Sequence, residues 1–281
     1  MSRRRAFTLA DALVCLAVAG LLPALAGLFQ SRERARQTAC KSNISNIGKG
    51  MAIYSASNMD RFPWMTSNNQ WDAATGAAQT AGPSEKTNYN VSALLFMLVR
   101  DAQAPGIFVC PSTQDKTDEN TKTGRDYHWD FSPYHDGNAE HVSYSYQAPL
   151  AGEKGTASGV TSDSNAGLAI LADRTPAYAG LKPDFNWAKP EKDDPNTGMS
   201  QNHRGAMVNV LFADFHVGES RGRADAGIGS DNIYSAAGMG KDGKPLAVNP
   251  GPGSMKLADH RSPDDTFLLG PAKMEKAEKK P

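Results

Sequence analysis

Residues 12–29 (ALVCLAVAGLLPALAGLF) are eighteen consecutive positions without a charged side chain. As an α-helix rising 1.5 Å per residue the run measures about 27 Å, close to the hydrocarbon thickness of a bilayer, so it predicts one membrane span. Arg3, Arg4 and Arg5 precede it, the positive flank expected on the cytoplasmic side of an exported chain. Arg32, Arg34, Arg36 and Lys41 lie beyond it with Glu33 alone opposing, so charge by itself leaves the orientation open. Asp11 opens the run. An uncompensated carboxylate at the centre of a membrane helix costs about 2.5–3.5 kcal/mol on insertion scales, so Asp11 belongs at the interface or beside a cation. A cut before Phe7 would supply that cation: the new α-amino group would lie one helical turn from Asp11, or could meet that of a neighbouring copy.

Other leaders share the basic start. An ordinary signal peptide would use Ala24-Leu25-Ala26 as its small-residue site and release a chain beginning at Gly27. Arg4-Arg5-Ala6-Phe7 looks like a twin-arginine signal, which Thr8 and Asp11 fit poorly. A lipoprotein reading through Cys15 fails, because Val14 is not small and too little apolar sequence precedes it.

The residues C-terminal to the apolar run bear on the choice. Cys40, Ile44, Ile47, Met51 and Tyr54 recur at intervals of 4, 3, 4 and 3, one face of an amphipathic helix, with Lys41, Ser42, Asn43, Ser45, Asn46 and Lys49 on the solvated side. A signal peptide does not require such a continuation, and an ordinary core helix would show the same stripe. A helix over 7–57 would be a rod of about 75 Å, kinked or locally melted at Gly20, Pro23 and Gly27.

In this register the sequence resembles the type IV pilins and the pseudopilins of type II secretion. Their precursors carry a short basic leader, a prepilin peptidase site usually written Gly-Phe-Thr-Leu-x-Glu with the cut before Phe, and an apolar helix that is first membrane anchor and then filament core. Ala6-Phe7-Thr8-Leu9-Ala10-Asp11 matches, with Ala6 for the glycine and Asp11 for the glutamate. The resemblance extends to a large bacterial group that joins such a leader to a C-terminal His-x9-Asp-Gly element. It is carried by Arg34-Ala35-Arg36, Cys40-Lys41-Ser42-Asn43-Ile44 with Ile47-Gly48, Tyr54, Asp60-Arg61-Phe62-Pro63, Phe108-Val109-Cys110-Pro111-Ser112, Ser143-Tyr144-Ser145-Tyr146, Leu171-Ala172-Asp173-Arg174, His203-Arg204-Gly205 and the segment 208–217. Ten residues separate His203 from Asp214, and Phe215 stands where that element has glycine, which argues for a different turn or a continuous strand. Pro23 also falls earlier than the proline common in that group's apolar segment.

The resemblance implies an α+β fold: a long N-terminal helix, membrane-spanning then amphipathic, packed on a small antiparallel sheet with long loops. It implies a leader at 1–6, a transmembrane and filament-core helix at 7–29, an amphipathic continuation at 30–57 and a globular domain at 58–270. It also implies a structural role in a secretion pseudopilus or pilus. Cleavage before Phe7, with Ala6 and Asp11 completing the processing site, comes with methylation of the new N-terminus. The partners are a prepilin peptidase/methyltransferase, other pilin-like subunits and the membrane, with the globular domain outside the cytoplasm on a single-pass inner-membrane anchor.

Composition agrees with a loop-rich domain. The chain of 281 residues balances 30 Lys+Arg against 30 Asp+Glu, which gives no electrostatic reason to expect a nucleic-acid partner. Its 26 glycines and 17 prolines argue against a compact helical bundle. Residues 91–100 read as a buried helix, and strands are expected at 142–148, 168–173, 207–213 and 215–219. Stretches 66–88, 112–126, 151–166 and 238–254 read as loops and 271–281 as a disordered tail.

Candidate sites are few. Cys15, Cys40 and Cys110 are too few and too far apart in sequence for a structural zinc site. Cys40 and Cys110, the pair outside the apolar segment, suggest a disulfide in an exported domain, closing about 70 residues and contributing about 4 kcal/mol by the chain-entropy model; two separately buried thiols are the other reading. His203, Asp214 and His216 are candidate metal ligands, although Asp214 and His216 in a strand would share a polar face by alternation alone. His128, Asp130, His135, Asp136 and His141 cluster without a fixed ligand spacing. Nucleophile elbow, Walker loop, dinucleotide fingerprint and His-Glu-x-x-His are all missing, so no enzyme and no cofactor is expected. The competing reading is an exported binding module or metal-dependent hydrolase behind an ordinary signal or anchor.

Overall fold

The computed structural model describes residues 9–64, 90–119, 128–132, 141–147, 150–151, 157–175, 199–221, 227–228, 233–234, 236–239, 245–248 and 268–269. Within the helix at 9–57, the side chains of residues 20–26 lie outside this description, as do those of the short strand pairs at 150–158 and 236–248 and of Leu269. The leader at 1–6, the Ala6–Phe7 junction, the stretch 66–88 and the tail 271–281 also fall outside it.

The architecture is α+β. Helix α1 spans Leu9–Ser57, about 74 Å of rise. It is continuous through Gly20, Pro23 and Gly27, against the expected local melting. A proline removes one backbone donor, and the intact bonds of the turns around it hold the helix together. Among the described residues no helix is long and apolar enough to cross a membrane; the uncharged run 12–29 includes residues 20–26. Leu9, Leu16 and Phe29 are 79%, 71% and 66% exposed, whereas Cys40, Ile44, Ile47 and Met51 are fully buried. The helix stops where Met59 and Asp60 turn to positive φ (55° and 57°), with the Asn58 side chain donating to the Tyr54 carbonyl at 2.8 Å.

Helix α2 spans Val91–Arg100, the residues the sequence predicts, and is capped by Asn90, whose side chain accepts from the Ala93 N–H. Five strands form an antiparallel sheet in the order β6-β5-β4-β1-β9: β1 Tyr144–Gln147, β4 Ala169–Asp173, β5 Met207–Phe212, β6 Val217–Arg221 and β9 Leu268–Leu269. Two short hairpins fall largely in stretches read as loops. One pairs β2 (Leu150–Ala151) with β3 (Ala157–Ser158) and the other β7 (Ala236–Met239) with β8 (Pro245–Val248). Glycine-rich, polar sequence hides such ribbons, because their pairing needs backbone groups and little apolar alternation.

The sheet has apolar clusters on both faces. Val208 and Val210 of β5 join Ile233, Tyr234 and Leu268 in the smaller one. Leu211, which alternation turns to the other face, joins Tyr144, Tyr146, α2 and the buried stripe of α1. Gly48 permits the approach of α1 to β5, since a Cβ there would lie 2.9 Å from Leu211 Cδ1. The β5–β6 connection is a turn and not a continuous strand, with Phe215 at φ 67°. Its N–H donates to the Phe212 carbonyl at 2.8 Å, and its ring packs on Phe62 at 5.4 Å between centroids. Aromatic packing therefore holds the left-handed geometry that glycine would reach without strain.

Candidate functional site

Beneath α1, on the sheet face that carries Leu211, four elements bring together groups that are far apart in sequence. The amphipathic period of α1 delivers Cys40 to the interior. Cys110 follows the 3-10 turn Pro105–Phe108, and Asn43 of α1 clamps that segment by donating to the Val109 carbonyl at 3.1 Å. Asp173 ends β4, and His203 comes from the tight turn Asn202–Gly205 that leads into β5. Cys40 and Cys110 Sγ, an Asp173 carboxylate oxygen and a His203 ring nitrogen all lie within 4.8 Å of one another, and all four residues are buried. Both cysteines carry free thiols.

Asp173 is the hub. Asn202 Nδ2 donates to its Oδ1 at 2.8 Å, Cys40 Sγ to the same oxygen at 3.3 Å, and the Asn209 N–H and Nδ2 to its Oδ2 at 2.7 and 3.3 Å. Tyr234 OH donates to its backbone carbonyl at 2.6 Å. Such a set of donors is what a buried carboxylate requires. His203 Nε2 lies 3.5 Å from Cys110 Sγ and 3.8 Å from Asp173 Oδ2. On the other side of its ring, Nδ1 meets Glu33 Oε1 at 3.1 Å and Ser112 Oγ at 2.8 Å, while Ser112 donates to Glu33 Oε1 at 2.7 Å. Tyr144 OH lies 3.4 Å from Cys40 Sγ. His203 and Arg204 both have positive φ (53° and 58°), a backbone that side chains other than glycine adopt only at a cost, and it aims the imidazole inward.

These contacts shift the proton equilibria. Burial pushes the His203 pKa down, but the hydrogen bond to Cys110 and the field of Asp173 outweigh it and set the value at about 9. The Cys110 thiol falls to about 7, chiefly through its hydrogen bond with Cys40 and, against burial, through the one with His203. That same Cys40–Cys110 hydrogen bond, followed by burial and by Asp173, pushes Cys40 upward. Glu33 is raised by burial but lowered overall by Ser112, His203 and Arg36. Burial drives the Tyr144 hydroxyl well above its ordinary value. The arrangement holds one histidine against one thiol of thiolate character, with a carboxylate at each end of the ring.

The sequence-predicted groups divide. Cys40 and Cys110 meet, whereas the trio His203, Asp214 and His216 does not: His203 is interior, and Asp214 and His216 are exposed in the β5–β6 turn. They do not share a strand face. Asp214 Oδ1 accepts from the His216 N–H at 3.1 Å and lies 2.5 Å from its Nδ1, the self-contained pattern of a side chain shaping its own turn. Of the second His/Asp cluster, the Asp130 carboxylate accepts from the Phe131 N–H, the His141 ring bonds the Lys116 carbonyl, and the His128 carbonyl accepts from Arg100. His135 and Asp136 lie outside the described residues. Spacing in the sequence did not single out Asp173, Glu33, Asn202 or Asn209 as site residues; the signal for Asp173 was an acid closing the apolar run Leu168–Ala172.

Compared with protein-family models, with curated proteins and with solved structures, the chain matches none.

Proposed function

We propose that the chain is a pseudopilin-like structural subunit. It is processed by a prepilin peptidase before Phe7, methylated there, held in the inner membrane by the segment 7–29 and assembled with other pilin-like subunits through α1. In this reading 30–57 continues the filament helix, and the globular part, 58–270, stands outside the cytoplasm in a secretion pseudopilus or pilus. Its function is assembly and not turnover.

One observation carries the proposal: α1 is a single helix of two characters. From Cys40 to Met51 its apolar face is covered by the domain's own core, while Leu13, Val14, Leu16, Val18, Leu28 and Phe29 are left exposed. Apolar surface of that extent calls for a cover, which lipid supplies before assembly and neighbouring helices after it. Asp11 in the first turn is the charged group that a new terminal amine would meet. The hydrolase reading has no comparable support, since the three groups it needs are not together.

Sequencing the mature N-terminus tests the proposal. N-methylated Phe7 is the expected result, and a chain beginning at Gly27 would refute it. Cys15, exposed on the unpacked part of α1, provides a second readout. Mild oxidation of membranes should link copies through Cys15, and Asp11→Ala should abolish the crosslink; unchanged crosslinking in that variant counts against assembly through this helix.

A further inference from the structure

We propose that Cys40, Cys110, Asp173 and His203 are the four ligands of a structural zinc ion that pins α1 to the sheet. Sequence spacing argues against such a site, because its cysteines are isolated and 70 positions apart. The fold removes that objection by bringing two sulfurs, one imidazole nitrogen and one carboxylate oxygen within 4.8 Å of each other.

The spacing suits a tetrahedral ion. With bonds of about 2.3 Å to sulfur and about 2.0–2.2 Å to nitrogen and oxygen, the ligand atoms of such a site stand roughly 3.4–3.8 Å apart. Cys40 Sγ to Asp173 Oδ1 is 3.3 Å and Cys110 Sγ to His203 Nε2 is 3.5 Å, and with one Asp173 oxygen the four ligand atoms span at most 4.8 Å. Two sulfurs with one nitrogen and one oxygen in a tetrahedral set favour zinc over magnesium or calcium, which take oxygen ligands in larger number. Four buried protein ligands fill the coordination sphere, which is the mark of a structural site and not a catalytic one.

The surroundings orient the ligands as metal sites require. Glu33, an ionised acceptor, accepts a hydrogen bond from the Nδ1–H of His203, which aims Nε2 at the cluster, where it becomes a ligand once a metal displaces its proton. Asn202 and Asn209 hold the Asp173 carboxylate. Tyr144 OH sits beside the Cys40 sulfur, a donor for a thiolate. Charge also needs an answer. Among the described residues, His203 is the one cationic side chain within 4.0 Å of the buried Asp173 carboxylate, at a separation beyond hydrogen-bonding range. A divalent cation supplies the missing positive charge, and its binding displaces to solvent the proton on His203 Nε2 together with those the two thiols still carry. The strained φ values at His203 and Arg204 become a geometry that coordination maintains.

The test uses the full-length protein purified from membranes in detergent and dialysed against metal-free buffer. About one zinc per chain is expected by elemental mass spectrometry, and replacement by Co2+ should give the thiolate-to-metal absorption of a tetrahedral sulfur site. Cys40 and Cys110 should resist alkylation until a chelator is added. Glu33→Gln should weaken zinc binding by about 10–100-fold, and His216→Ala should leave it unchanged. A wild-type chain without zinc overturns the proposal, whether its peptides carry a Cys40–Cys110 disulfide or two alkylatable thiols. Zinc retained at full stoichiometry in Cys110→Ser overturns it equally. The wild-type measurements decide even if the cysteine variants do not fold.

Discussion

Phe215 offers a direct test of how the β5–β6 turn is held. Its backbone is left-handed at φ 67°, and its half-buried ring contacts Phe62 at 5.4 Å with planes inclined at 54°. Fully burying a phenylalanine contributes about 1.5–3 kcal/mol, so half burial accounts for about 1 kcal/mol, and the aromatic contact adds about 0.5–1.5. Removing the ring should therefore cost about 2 kcal/mol. The left-handed region costs an L-residue about 1–2 kcal/mol, part of which glycine recovers, less what its looser unfolded chain takes back. Phe215→Ala should destabilise by about 2 kcal/mol and Phe215→Gly by about 1. For a domain of this size, the glycine variant should melt roughly 2–4 °C above the alanine variant. Urea and thermal unfolding of the full chain, followed by tryptophan fluorescence, would measure both. If alanine proves equal to or more stable than glycine, the backbone carries no such strain; if both equal the wild type, the ring contributes nothing.

Three further outcomes are expected. Ile47→Ala should cost about 2–5 kcal/mol in the same unfolding assay because its side chain is fully buried, whereas Ile53→Ala, on the exposed side of the same helix, should stay within about 0.5. Asn202→Ala strips donors from both Asp173 Oδ1 and the Ser143 carbonyl, so a loss of about 1–3 kcal/mol is expected, and a neutral result would mean that solvent reaches the site. Slight burial raises the Asp214 pKa, but hydrogen bonds from His216 lower it overall. Any stability from this carboxylate is present above its unfolded pKa and fades as pH falls through the folded value. His216→Ala should move the Asp214 titration upward by NMR with almost no change in melting temperature, since the pair is exposed.

Legibility followed locality. The stripe Cys40, Ile44, Ile47, Met51 was plain because helical period is written in consecutive residues, and Val91–Arg100 because an apolar block between polar neighbours buries on all sides. Four of the five strands of the main sheet were found to within a few residues, while β9 and the β2–β3 and β7–β8 ribbons were missed for want of alternation. His203 was chosen with the wrong companions: proximity in sequence suggested Asp214 and His216, and the turn carries those outward while the His203 ring points inward.

The order of residues alone determines the uncharged run, the acid that opens it, the amphipathic continuation and the α+β pattern of elements, all of which depend on short-range period and charge. The assembly of Cys40, Cys110, Asp173 and His203 was decided by tertiary structure. Its members come from a helix, a loop, a strand end and a turn, and only the antiparallel register of β4 against β5, with α1 laid close to Leu211 at Gly48, makes them neighbours. Distances between residues 30 to 163 positions apart are set by packing, which no local pattern encodes.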